Sequence, residues 1–293
     1  MRSELDQQYE RFLSAFTDIE LIERAMRDST KDQYRALMVN AQNLKAQGLE
    51  DLSSAHHTMT FRSLRDGETR LYRHVTRNSK QLRHDLLIRQ NKQYQSLLAE
   101  AYERFEDYVE FAYGAGGALK PTFWRPKELQ GLHAAKGATP TLSDFVEHSN
   151  SPHHTGDVLW KLGRFRTVFG TFKSAEQSNQ NYRSTRFVLV LVEMLRHVIV
   201  HNGGRIKDKS AFVGRIFTRS GLSSSGNDGA VLTAMIDDFL GTSEGEVIVH
   251  LLDVKHLDLP GAYTSRIGVL IDLLLAYANC IQNEVLLPLT AQS

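Results

Sequence analysis

No proline occurs in the first 120 residues of this 293-residue chain, and across that stretch apolar residues recur at helical rather than strand spacing. Leu5, Tyr9, Phe12, Phe16 and Ile19 step by four and three, which lines one stripe of a helix. Tyr34, Leu37, Ala41 and Leu44 repeat the step beyond a polar break at 28–31. Leu71, Val75, Asn78 and Leu82 carry a third stretch, and Tyr94, Leu98, Ala101, Phe105, Tyr108 and Ala112 a fourth. Gly48 and Gly67 are expected to punctuate these helices, since glycine costs about 1 kcal/mol relative to alanine in a helix interior. The stripes are too short to demand a long coiled coil, so residues 1–113 are predicted to form a helical bundle or hairpin.

Composition shifts at Gly114. Four prolines (Pro121, Pro126, Pro140, Pro152) and several glycines follow, and residues 114–155 are predicted to be a connector. A second helical module is expected over 156–293. Its clearest helix covers 181–201 and stops at Gly203 and Gly204, where a left-handed cap fits. Residues 220–229 read as a polar loop. The alternating stretch 246–252 reads as a short strand, with 212–217 as its candidate partner, and 265–287 as a buried helix. The predicted class is all-α with a minor β hairpin.

Composition narrows the function classes. With 41% hydrophobic and 24% charged residues, the chain has enough apolar material for a core and is not a disordered tail. Its one cysteine, Cys280, forms no internal disulfide and is read as a core residue. No run of 18 uninterrupted apolar residues is present and the first residues lack a signal-like apolar segment, so a cytoplasmic protein without a membrane partner is expected. The paired histidines at 56–57 and 153–154 read as loop residues. No phosphate-cradling glycine loop and no serine- or cysteine-hydrolase pattern is present, and no cofactor is expected.

Charge is unevenly distributed. Residues 1–157 carry 21 basic against 22 acidic side chains, residues 158–219 carry 12 against 3, and residues 220–293 carry 2 against 9. A middle segment at +9 in a chain of net charge +1 is a candidate polyanion surface, unless the acidic segments neutralise it in the fold. The residues expected to meet RNA there are Lys161, Arg164, Arg166, Arg183, Arg186, Arg205, Lys207 and Lys209, with Lys173 and Arg215 nearby. Phe165, Phe169, Phe172 and Tyr182 are interleaved, and such rings are more often core than stacking platforms.

Within this segment runs Arg196-His197-Val198-Ile199-Val200-His201-Asn202-Gly203-Gly204. An arginine and a histidine at R-x4-H spacing are weak evidence alone, because 23 arginines and 12 histidines yield about one such pair by chance. Context sharpens it: an apolar filling, a polar residue directly after the arginine, and an HNGG stop. Arg77 and His84, at R-x6-H spacing among other charges, lack that context and read as solvated surface.

This stretch resembles the R-x4-6-H signature of the HEPN superfamily (higher eukaryotes and prokaryotes nucleotide-binding), over 156–287 broadly and over 196–204 specifically. The resemblance implies a small helical bundle acting as a metal-independent endoribonuclease in toxin–antitoxin, abortive-infection or antiviral defence. By that likeness Arg196 and His201 correspond to the catalytic pair, His197 to the polar position and Asn202 to an accompanying residue. It also implies a homodimer with a composite active site and an antitoxin or defence-system partner. Residues 1–113 match no part of the family.

The chemistry agrees in outline. Metal-free RNA cleavage needs a base for the 2′-hydroxyl, an acid for the leaving oxygen, and positive charge at the phosphorane. Histidine suits both proton transfers near neutrality, and arginine's planar fork suits phosphate oxygens. Five residues of helix place two side chains about 140° apart. Convergence therefore requires the helix to end near His201 or a second subunit to face the first. Two other readings stand beside this one. In the first, Arg196 pairs with Glu193 at a core edge and His201 caps helix carbonyls, leaving a non-catalytic RNA-binding or scaffold protein. In the second, Glu193, His197 and His201 share one stripe and contribute to a metal site, although i to i+8 spans about 12 Å.

Overall fold

The computed structural model describes residues 1–49, 54–120, 122–130, 132, 140–149, 156–177, 184–255 and 263–291. The described chain is mostly helical with small antiparallel sheets. It divides into two compact units: residues 1–20 with 95–293, and residues 21–94. The predicted boundaries at 113/114 and 155/156 are therefore corrected. The division falls inside two long helices, α1 (Arg2–Ala46) and α2 (Ser79–Leu119), each of which contributes to both units.

The reason is legible in burial. On α1 the predicted stripe holds through Leu5, Phe12, Phe16 and Ile19, all buried, whereas Leu21, Ile22, Tyr34 and Val39 are exposed. The helix runs unbroken through 28–31, since polar residues such as those of the 28–31 segment carry no helix-breaking penalty comparable to glycine or proline.

In the smaller unit, α1 is followed by β1 (Ala55–Arg62) and β2 (Thr69–Arg77), an antiparallel pair, and then α2. The helix predicted over 71–82 is thus a strand up to Arg77. Thr69, Tyr72, Val75 and Thr76 favour a strand, and an Asn78–Gln81 capping box starts α2: Gln81 N donates to Asn78 Oδ1 and Asn78 N to Gln81 Oε1, both at 2.9 Å. His56 and His57 lie on β1 rather than in a loop; His153 and His154 fall outside the described residues. Gly67, at φ +70°, supplies the left-handed residue of the hairpin turn.

In the larger unit, α3 (Leu142–Ser149), α4 (Val158–Val168), α5 (Gly170–Gln177) and α6 (Thr185–Asn202) precede β3 (Arg205–Ile206), α7 (Lys209–Ser220) and α8 (Gly226–Asp237). Then come β4 (Leu240–Ser243), β5 (Glu246–Val249), β6 (Val254–Lys255), β7 (Tyr263–Thr264) and α9 (Arg266–Cys280), which continues through a π-helical turn (Ile281–Leu286) into α10 (Leu287–Thr290). The expected strand exists as β5, but it pairs with β3 and β4. Residues 212–217 belong instead to α7, which starts where Asp208 accepts a bond from Ala211 N. The expected loop at 220–229 ends early, because α8 begins at Gly226.

The described residues of the stretch read as a connector pack as part of this unit. Gly114, Gly116 and Gly117 lie inside α2, because a Cβ there would meet Val146, the Phe123 ring and the Trp124 ring at 2.7, 2.9 and 2.6 Å. The glycines admit an aromatic plug, in which Phe123 and Trp124 pack on Tyr113 with centroids 5.3 and 5.7 Å away. Trp124 in turn meets Phe145 of α3 at 5.2 Å.

At the centre lies α6, whose residues from Phe187 to Val192 are all buried. A helix that is apolar all round must be surrounded, and α5, α7, α9 and β5 pack on it. Cys280 ends α9, where burial pushes its thiol up to about 11, unlike a reactive thiolate. The stretch Arg266–Thr290 has the length and apolarity of a bilayer span, yet its most apolar 18-residue window is 56% buried in the fold, and Leu270, Leu273 and Leu274 are fully buried.

Candidate functional site

The apolar part of α6 is followed by a polar C-terminal part, and the change places chemistry at the edge of the core. Ser184 caps the first turn by accepting from Phe187 N, and the helix continues to Asn202. Gly203 and Gly204 then take left-handed φ values of +59° and +81°, and Gly204 N donates to Val198 O at 3.1 Å. Gly204 is required twice over. A Cβ there would lie 2.5 Å from Gln95 Oε1, while Gly204 O accepts from Val249 N at 2.8 Å and Gln95 Nε2 donates to Val249 O at 2.7 Å. The HNGG stop thus ties the motif helix to α2 and β5.

His197, His201 and Asn202 are exposed on the last turns of α6. The His197 and His201 rings lie 4.5 Å apart. Partial burial, the facing His201 and the Arg196 charge all hold the His197 imidazole below its ordinary range, which favours the neutral form. Arg196 is only 25% exposed and leans on α2: its Nη2 is 3.4 Å from Glu103 Oε1, and its guanidinium carbon lies 5.9 Å from the Tyr102 ring centroid. Its Nε is buried with no hydrogen-bond partner. Because α6 is helical through both positions, Arg196 and His201 of one chain diverge by about 140°.

Behind Arg196 sits a group of charges of which local spacing pointed only to Glu193. Glu193 is paired not with Arg196 but with Arg219, at 2.6 Å, and Arg219 also reaches Asp157 at 2.9 Å. Glu193 Oε2 is buried without a hydrogen bond. Burial raises the Glu193 carboxyl despite Arg219, and burial likewise raises Glu106 despite Arg196. Burial, then the Glu193 and Glu106 charges, pushes the Tyr102 hydroxyl far up. Tyr102, Glu103 and Glu106 come from α2, some ninety residues from the motif, and no local spacing announces them.

The predicted RNA-binding residues separate into three groups. Lys161 is 3% exposed with Nζ 2.5 Å from Glu110 Oε1, and Arg166 is held by Glu176, which also accepts from Tyr277 OH at 2.7 Å. Both are corrected to internal ion pairs, placed there because carboxylates from other helices neutralise them. Arg164, half-buried, donates Nε to Phe123 O at 2.6 Å and helps hold the aromatic plug. Arg186, Arg205, Lys207 and Lys209 are exposed. Arg186 reaches Arg219 O, Arg205 pairs with Glu246 at 2.9 Å, and Lys209 pairs with Asp237 at 2.8 Å. Exposed pairs of this kind are worth about 0–1 kcal/mol, so they yield readily to phosphate. Arg183 and Tyr182 lie outside the described residues. Phe165, Phe169 and Phe172 are buried in the core.

Among the described residues, no group of three or more His, Cys, Asp or Glu side chains is arranged to hold a metal ion. In the Glu193–His197–His201 stripe, the carboxylate is committed to Arg219. No family model, curated protein or solved structure matches this chain.

Proposed function

We propose that this chain is a metal-independent endoribonuclease of the HEPN type, working in the cytoplasm in a toxin–antitoxin, abortive-infection or antiviral setting. The observation that carries the reading is the end of α6. A helix buried from Phe187 to Val192 emerges with Arg196, His197, His201 and Asn202 at its last turns, closed by a glycine cap.

In this reading a homodimer brings the Arg196 of one protomer to the His201 of its partner, which meets the angular requirement of an unbroken helix. An imidazole takes the proton of the 2′-hydroxyl, and the freed oxygen attacks the adjacent phosphorus. The guanidinium stabilises the pentacoordinate phosphorane, and a protonated imidazole delivers a proton to the departing 5′-oxygen. The products are a 2′,3′-cyclic phosphate and a 5′-hydroxyl. His197, held toward its neutral form, suits proton acceptance and lies against His201 with the rings tilted by 52°. Arg186, Arg205, Lys207 and Lys209 supply phosphate attraction.

A second reading has its own support. Arg196 meets Glu103 and Tyr102, so it also pins α6 to α2 as a structural arginine in an RNA-binding or scaffold protein would. The readings part on wild type and His201→Ala incubated with mixed cellular RNA in EDTA. Cleavage by wild type alone, with both proteins folded, supports the nuclease; identical behaviour supports the scaffold.

A further inference from the structure

The β1–β2 hairpin of the smaller unit is unusual in that nearly every residue on both strands is exposed. An isolated two-stranded hairpin is at best marginally stable in water, so large apolar side chains on it are costly unless something covers them. Phe61 is 49% exposed, Tyr72 63% and Leu71 61%.

The register sorts these side chains by face. His74 accompanies Tyr72 two residues away, and residues i and i+2 share a face. The His56 and His74 rings stack at 5.8 Å, the Phe61 and Tyr72 rings meet edge to face at 6.4 Å, and Thr58 and Thr76 bond to the two histidines. One face therefore carries four rings in two cross-strand pairs. Tyr72 and His74 are about 7 Å apart along the strand, roughly twice the 3.4 Å stacking rise of nucleic-acid bases, which leaves room for a base between rings. Charge complements this. Residues 54–77 hold five arginines (62, 65, 70, 73 and 77) against two carboxylates, Asp66 and Glu68. By the same alternation Arg70, which pairs with the exposed Asp66, shares the ring face, Arg65 lies in the turn beside it, and Arg62, Arg73 and Arg77 lie on the opposite face.

We propose that this hairpin face binds unpaired RNA, its rings stacking on bases, with Arg70 and the turn's Arg65 meeting the phosphates in the net positive field of the hairpin. Stacking is tolerant of sequence because every base has a π face, and a duplex, whose bases are already stacked, is a poor ligand for it. The choice of RNA over other polyanions rests on the nuclease reading, but the site stands on residues of the hairpin alone.

The test uses the full chain and fluorescence anisotropy with a 2′-O-methyl oligoribonucleotide, which cannot undergo 2′-hydroxyl attack, as a single strand and as a duplex. Phe61→Ala/Tyr72→Ala is expected to weaken single-strand binding at least about tenfold and to leave duplex binding unchanged. Phe61→Val/Tyr72→Val, which keeps strand propensity while removing the rings, is expected to match it. Unchanged single-strand binding in the valine variant overturns the proposal. So does an equal loss on single strand and duplex. A valine variant that binds RNA normally but loses self-association, or loses sedimentation with phosphatidylserine vesicles, reassigns the face to a second copy or to lipid. A chain that binds the modified strand through these rings yet never cleaves ordinary RNA removes the nuclease reading and leaves this one standing.

Discussion

His197 and His201 sit one turn apart on the exposed end of α6, with their rings 4.5 Å from centroid to centroid. Partial burial, then the facing His201 and the Arg196 charge, hold the His197 imidazole below its ordinary value. His197 is therefore expected to titrate below 6.5 by NMR, and His201→Ala is expected to move it upward. The sign for stability follows from the lowered folded-state pKa: the neutral form is favoured on folding. That contribution is intact above the unfolded histidine pKa and is lost as pH falls through the lower folded value. His197→Gln should flatten this acid limb in denaturant titrations carried down from the ordinary histidine pKa of about 6.5.

The composite site predicts complementation. Arg196→Ala and His201→Ala are each expected to be inactive, whereas an equal mixture after subunit exchange should recover about a quarter of wild-type activity. Half the dimers are then mixed, and each mixed dimer has one intact site of two. No recovery, with subunit exchange verified, would place both groups in one chain or remove the arginine from catalysis.

Arg219→Ala leaves the partly buried Glu193 without its cation. The Glu193 carboxyl already lies above its ordinary value, and losing Arg219 should raise it further. A raised carboxyl favours folding below its unfolded pKa, and that advantage is lost as pH rises through the folded value. The variant should therefore be more destabilised at pH 7 than at pH 4. Solvent reaches both groups, so the expected loss is about 1 kcal/mol rather than the 3–5 kcal/mol of a fully buried pair. Glu193→Gln in the same chain should recover much of it, as urea titrations would show.

Gly204→Ala should cost more than Gly203→Ala. Both positions are left-handed, worth about 1–2 kcal/mol against a side chain, but only at Gly204 does the added carbon collide with Gln95. Denaturation midpoints of the two variants measure the difference.

The exposed and buried cations should separate cleanly. Arg205→Ala and Lys207→Ala are expected to lower RNA affinity and to reduce the log–log salt slope by about one each. Lys161→Ala and Arg166→Ala, which break internal pairs, should lower the melting temperature and leave that slope unchanged.

Much of the local structure was legible because it rests on neighbours in sequence. The stripe from Leu5 to Ile19, the core phenylalanines, and the glycine stop after Asn202 each depend on spacing that a helix converts directly into a face or an end. Over 71–82 the same reasoning misled. A strand that alternates also yields an i, i+4 coincidence, and the Asn78–Gln81 cap decided the matter. The glycines at 114–117 looked like a break because their role is contact with Phe123, Trp124 and Val146, which local spacing does not reveal.

Sequence alone determined that this chain is mostly helical, that its clearest helix stops at Gly203 and Gly204, and that Arg196, His197, His201 and Asn202 stand at that helix's end. Only the tertiary structure decided which cations remain open to a ligand. Lys161 and Arg166 were claimed by Glu110 and Glu176, and Arg196 came to rest on Tyr102 and Glu103. The reason is physical. A helix's face follows from nearest neighbours, whereas a charge's partner is whichever opposite charge the fold carries next to it.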